Sequence, residues 1–160
     1  MVEYRIKSGL SGGVRMRKIL FVCTGNTCRS PMAEGIFKKM LSDRKIENVE
    51  CSSAGLFAMS GDEACSNAIE AAQRFGADIS AHRARRITSY ILDETDVFVC
   101  MTKDQAASLS MYVPHEKTVV LGDGIPDPFG GDIETYMRCA NSIRTALERQ
   151  FNELVGEKTE

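Results

Sequence analysis

Between Lys18 and Leu41 the chain passes from an almost wholly apolar segment, Lys18–Cys23, through a short polar loop into a stretch of helical period. A strand with no polar alternation must be covered on both faces, and that condition points to a parallel sheet with helices above and below. The same alternation recurs to the end of the chain. Further strands are expected at Val49–Ser53, Asp96–Met101 and Lys117–Leu121. Helices are expected after Ser30-Pro31, where Met32, Ala33, Ile36, Phe37, Met40 and Leu41 recur at i, i+3/i+4, and over Asp62–Phe75 and Thr102–Met111. Gly76 is placed to stop the second of these. A long final helix carries Ile133, Tyr136, Met137, Ala140, Ile143, Leu147, Phe151 and Leu154 on one stripe. The reading is α/β: a three-layer sandwich with a four-stranded parallel sheet flanked by helices, whose right-handed crossovers bring every strand-to-helix loop to one edge.

Residues 1–15 carry Ser-Gly-Leu-Ser-Gly-Gly and no sustained period, and they read as a flexible leader or an expression remnant before a single domain over residues 16–156. The 160 residues suit one domain at ~100–200 residues each. Twenty basic and 22 acidic side chains give a net charge of -2, so there is no positive field to hold a nucleic acid. The longest apolar runs, Ile19–Cys23 and Val97–Met101, are far too short for the ~18–20 residues of a bilayer span. No nucleic acid or membrane partner is expected, and a soluble, cytoplasmic, monomeric protein is. The six cysteines read as thiols rather than disulfide staples, because the chain has enough aliphatic residues for its own core. With His82 and His115 as the only histidines, no cluster has zinc spacing, and neither metal nor cofactor is expected.

The chemistry concentrates in the first strand-loop-helix junction, Cys23-Thr24-Gly25-Asn26-Thr27-Cys28-Arg29-Ser30, a C-x5-R-S arrangement. Such a loop can turn successive backbone N–H groups inward around a phosphate-sized dianion, with Gly25 and Asn26 tolerating the left-handed dihedrals of a tight cradle. The helix N-terminus adds partial positive charge. Arg29 offers a rigid fork for two equatorial oxygens, which Lys could not. Cys23, at the base of that positive potential, reads as a thiolate nucleophile, with Ser30 placed to donate a hydrogen bond to it. Cysteine and arginine taken singly are more often structural; this spacing in this context makes them a site. Cys28 stands five residues after Cys23 and could capture an oxidised Cys23 as a reversible disulfide. Cys51, Cys65, Cys100 and Cys139 read as core fillers, His115 as a surface residue, and Arg83-Ala84-Arg85-Arg86 as a solvated loop that could steer anionic proteins.

Residues 23–34, CTGNTCRSPMAE, resemble the phosphate loop of the low-molecular-weight protein tyrosine phosphatases. Ser53-Ala54-Gly55, Ala81 to Arg85, Asp96 to Thr102 and Asp127-Pro128-Phe129 follow in that family's order, so the resemblance covers residues 17 to 155. It implies phosphorylated proteins as substrates and Asp127 as the general acid, in a segment from Gly124 to Gly131 that is otherwise dense in turn formers. It also implies that hydrogen bonds from Ser30, Ser53 and His82 hold Asn26 in a strained conformation. Thr27, where tyrosine-specific members carry an aliphatic residue, and Phe129-Gly130-Gly131 after Asp127-Pro128 resemble the protein-arginine phosphatase branch. The expected reaction is hydrolysis of protein phosphoarginine through a phosphocysteine, with phosphotyrosine as the alternative. Arsenate reduction is disfavoured because no cysteine follows Cys100 before Cys139, and a non-catalytic phosphate-binding module because Cys23, Arg29 and Asp127 are all present.

Overall fold

The computed structural model describes residues 15–157. The expected leader therefore lies outside the described residues except for Arg15, whose guanidinium pairs with Asp96 at 2.9 Å. Strands β1 (Arg17–Cys23), β2 (Val49–Gly55), β3 (Val97–Cys100) and β4 (Thr118–Val120) form one parallel sheet in the order β2-β1-β3-β4. Successive residues of β1 serve opposite faces, as a strand requires. Ile19, Phe21 and Cys23 join the core under α1 (Arg29–Asp43), α2 (Ser66–Arg74) and α5 (Ile133–Val155). Leu20 and Val22 join a smaller core with Phe98, Cys100, Leu109 and Val113, closed by α3 (Ser89–Glu94) and α4 (Lys103–Leu109). These are the three layers expected from the sequence.

Strand order reverses at β1, where the chain first builds outward to β2 and then returns to place β3 on the other side. In open α/β sheets a crevice opens at the carboxyl ends of the strands at such a point. The loop from Cys23 to Arg29 leaves β1 at that edge.

Several boundaries differ from expectation for tertiary reasons. α2 begins at Ser66 rather than Asp62, because the Cys65 amide donates to the Thr27 carbonyl at 3.0 Å and the Asp62 carbonyl accepts from the Ala84 amide at 2.7 Å. These long-range bonds hold residues 62–65 out of the helix. β2 runs on to Gly55, paired with Cys23 of β1, instead of ending at Ser53. α4 starts after Thr102, which caps it in a reciprocal pair with Gln105, and it ends at Leu109. The short helix α3 was not expected; Thr88 caps it by accepting from the Ile91 amide. Gly76 stops α2 as expected, with a φ of 82°. α5 matches its apolar stripe, with the Asp132 side chain accepting from the Thr135 amide at its start and Gly156 at a φ of 81° at its end.

Candidate active site

A loop that is to present its amides to an anion must dispose of its carbonyls elsewhere. In this structure four of them are satisfied from outside. The Leu56 amide donates to the Cys23 carbonyl at 3.0 Å, the Phe57 amide to that of Thr24 at 3.0 Å, and the Cys65 amide to that of Thr27 at 3.0 Å. The Asn26 carbonyl accepts from His82 Nε2 at 2.7 Å, which fixes the proton of that imidazole on Nε2. With the carbonyls turned outward, the amides of Gly25, Thr27 and Cys28 meet no acceptor among the described residues. No side chain caps the N-terminus of α1 either. Both sets of donors are available to an oxyanion.

Asn26 makes the turn. It is fully buried with a φ of 57°, in the left-handed region. Its side-chain amide donates to Ser30 Oγ at 2.8 Å and Ser53 Oγ at 3.0 Å, while its Oδ1 accepts from the Arg85 amide at 3.0 Å. Asn26 is thus the donor to the two serines rather than their acceptor as expected, because the Arg85 amide must face an oxygen. Gly25, expected to share the left-handed conformation, does not adopt it. The loop needs only one such residue.

Cys23 Sγ, 3% exposed, accepts from the Asn26 amide at 3.2 Å and lies 2.8 Å from Ser30 Oγ. Arg29, 6% exposed, donates through one nitrogen to the Ile125 carbonyl at 2.8 Å, and its other terminal nitrogen stands 3.7 Å from Asp127 Oδ2. The Phe129 amide donates to Asp127 Oδ1 at 3.1 Å, closing the local turn and leaving Oδ2 toward the cavity. A cavity of about 210 Å³ is lined by the residues from Cys23 to Arg29 together with Asp127 and Phe129. The structure therefore collects in one place every residue that the sequence suggested would touch substrate, apart from Ser30. That residue lies buried behind the loop with Ser53, and His82 is half-buried there.

Three supports were not legible. Buried Gln105 accepts from the amides of Met101 and Thr102 and donates through Nε2 to Thr24 Oγ1 at 3.3 Å. Arg85, expected in a solvated loop, donates to the Ser53 carbonyl at 2.9 Å and the Ser52 hydroxyl at 2.9 Å. The Arg83–Arg86 run is also built into the fold through an Arg83 pair with Glu63 at 3.4 Å and a bridge from Gly55 to Arg86. Gly55 is required by close approach: a Cβ there would lie 2.6 Å from the Thr24 carbonyl oxygen.

The cysteines divide differently from expectation. Cys28 Sγ faces Cys65 Sγ at 3.2 Å and the Tyr136 hydroxyl at 3.3 Å. Cys65 is therefore not a core filler but half-buried at the N-cap of α2, beside the phosphate loop. The hydrogen bond from Cys28 holds the Cys65 thiol below the usual thiol range, aided by the amides at the start of α2, while the same bond and burial raise Cys28. Cys51, Cys100 and Cys139 are buried, and burial pushes each thiol up to about 12. His115 lies exposed in a short 3-10 turn, as expected. Among the described residues no helix is long and apolar enough to cross a membrane.

A phosphate-sized cavity of inward amides, with a cysteine at its base, a buried arginine at its wall and a carboxylate at its rim, defines the class of cysteine-dependent phosphatases. Residues 18–160 match the family described as low molecular weight phosphotyrosine protein phosphatase, and the chain belongs to that family. It is 35% identical over 151 residues to a protein-arginine-phosphatase of Geobacillus stearothermophilus, covering 88% of this chain and 98% of the relative. It is also 35% identical over 132 residues to arsenate reductase 2 of Staphylococcus haemolyticus, covering 82% of this chain and 94% of that one. The crystal structure of a low molecular weight protein tyrosine phosphatase from T. tengcongensis superposes with a TM-score of 0.80 at 34% identity, covering 86% of this chain and 99% of the other.

Proposed function

We propose that this phosphatase removes the phosphoryl group from phosphoarginine in proteins, acting as a cytoplasmic monomer whose catalytic unit is residues 16–156. The observation that carries the reading is Thr27. Its hydroxyl-bearing side chain is part of the cavity wall, half-buried, in a ring otherwise made by the loop, Asp127 and Phe129. A β-branched polar residue there narrows the approach of an aryl ring and offers a hydroxyl to orient a P–N bond or an attacking water. Similarity to the Geobacillus protein-arginine-phosphatase over nearly its whole length supports the same assignment.

The chemistry proceeds in two displacements. Loop amides and Arg29 hold the phosphoryl oxygens, and the Cys23 sulfur attacks phosphorus in line. The S–P bond forms as the P–N bond breaks, and Asp127 gives its proton to the departing guanidine nitrogen. Water, deprotonated by the same carboxylate, then attacks phosphorus and the S–P bond breaks, regenerating Cys23. Positive charge from the cradle and Arg29 stabilises the transition state.

Phe129, 81% exposed at the rim, favours a second reading, because an exposed aromatic could stack against a phosphotyrosine ring. The two readings separate in kcat/KM on peptides carrying phosphoarginine or phosphotyrosine under reducing conditions, with Cys23→Ser as the blank. A clear preference for phosphoarginine, moved toward phosphotyrosine by Thr27→Ile, is the expected result. A preference for phosphotyrosine in the unaltered protein would overturn the substrate assignment and leave the two displacements intact.

A further inference from the structure

We infer that Cys28 and Cys65 form a redox-active dithiol, so that oxidation beside the phosphate loop yields a Cys28–Cys65 disulfide, a bond that spacing along the sequence does not suggest. The two sulfurs are 3.2 Å apart across 37 residues of chain. They are held there by backbone as well as by side chains, since the Cys65 amide donates to the carbonyl of Thr27, the residue before Cys28.

The pair is also chemically unequal in the way such a reaction requires. Cys65 sits at the N-cap of α2, where the helix amides favour its thiolate, and it is half-buried, within reach of a small oxidant. Cys28 is buried, with its sulfur in hydrogen-bond contact with Cys65 Sγ at 3.2 Å and with the Tyr136 hydroxyl at 3.3 Å. Cys65 is therefore the atom attacked and Cys28 the thiol that resolves it. With hydrogen peroxide as oxidant, the Cys65 thiolate attacks one peroxide oxygen; an S–O bond forms, the O–O bond breaks and hydroxide leaves. Cys28 then attacks the sulfenic sulfur, the S–S bond forms, the S–O bond breaks, and the hydroxyl leaves as water with the proton from Cys28. Two thiols lose two electrons and the peroxide is reduced. The charge developing at Cys28 is met by Tyr136.

The test is a cross-link map, which requires no turnover and so stands apart from the substrate assignment. The folded wild-type protein and the Cys23→Ser, Cys65→Ser variants are treated with stoichiometric hydrogen peroxide, and the remaining thiols are alkylated. Digestion after Lys, Arg and Glu separates Cys65 from Cys51, and the linked peptides are read by mass spectrometry. Because Cys23 and Cys28 share a peptide, Cys23→Ser makes the assignment at Cys28 unambiguous. A Cys28–Cys65 cross-link in most molecules of both wild type and Cys23→Ser, lost in Cys65→Ser and reversed by dithiothreitol, is the expected pattern. Its absence from Cys23→Ser, or a wild-type protein in which Cys28 is found only with Cys23, would overturn the inference.

Discussion

Asn26 Nδ2 donates to Ser30 Oγ at 2.8 Å, and that contact leaves the Ser30 hydrogen available for the bond that reaches Cys23. A hydroxyl has a single hydrogen. Since Ser30 accepts from Asn26, its own hydrogen is free for Cys23 Sγ, 2.8 Å away on the other side. The turn of the loop and the state of the nucleophile are therefore coupled through one serine. Ser30→Ala removes the hydrogen bond to the sulfur that the proposed mechanism uses as a thiolate, while leaving Asn26 its bond to Ser53. Such bonds contribute about 1.5–3 kcal/mol, so kcat should fall by about 10- to 10²-fold with the melting temperature little changed. Steady-state kinetics and a thermal scan on the same preparation test both halves.

Gly55→Ala attacks the loop from behind. The new Cβ would lie 2.6 Å from the Thr24 carbonyl oxygen, 2.9 Å from the Ala58 Cβ and 3.1 Å from the Asn26 Cβ. Two of those atoms belong to the loop itself, so relief must move it. Overpacking of this kind costs about 1–3 kcal/mol, and kcat/KM should fall at least about tenfold because a displaced cradle loses its amide geometry. A variant with wild-type activity would show that the loop tolerates displacement.

Asp127→Asn leaves the local turn intact, because the asparagine oxygen can still accept from the Phe129 amide. The exchangeable proton is lost, together with the carboxylate charge 3.7 Å from Arg29. Loss of a general acid or base costs typically about 10²–10⁴-fold, and the loss should appear in kcat with KM nearly steady. Loss confined to KM would reassign Asp127 to substrate binding.

Phe37→Ala separates fold from site. Phe37 is fully buried in α1, with ring centroids 5.6 Å from Phe21 and 5.5 Å from Phe151, so it joins the sheet to α5. Removing it should cost about 3–5 kcal/mol by denaturant unfolding. The folded fraction at low temperature should keep near-normal kcat, since Phe37 does not line the cavity.

Much of this molecule was legible before folding because its signals are local. Lys18–Cys23 declares a strand covered on both faces, Met32 to Leu41 a helix, and Ile133 to Leu154 a long helix with one apolar stripe. The cradle is local as well: Cys23, Asn26, Arg29 and Ser30 lie within eight residues of one another. Its rim was readable only through family resemblance, since nothing in the spacing of Asp127 joins it to Cys23.

What supports the cradle was not legible. Residues 62–65 have a helical pattern, yet hydrogen bonds to Thr27 and Ala84 hold them extended. Arg85 looks like part of a solvated charge run, yet it braces Ser53 and Asn26. Cys65 looks like core, yet it meets Cys28. The sequence by itself determined the βα order, the cradle and its nucleophile, because these follow from residue periodicity and from groups close together along the chain. Only the tertiary structure decided which amides would satisfy the loop's outward carbonyls, which serine would address the sulfur and which cysteine Cys28 would face. Those choices join atoms tens of residues apart, and they are made only when the crossovers pack β2, α2 and α5 around the loop.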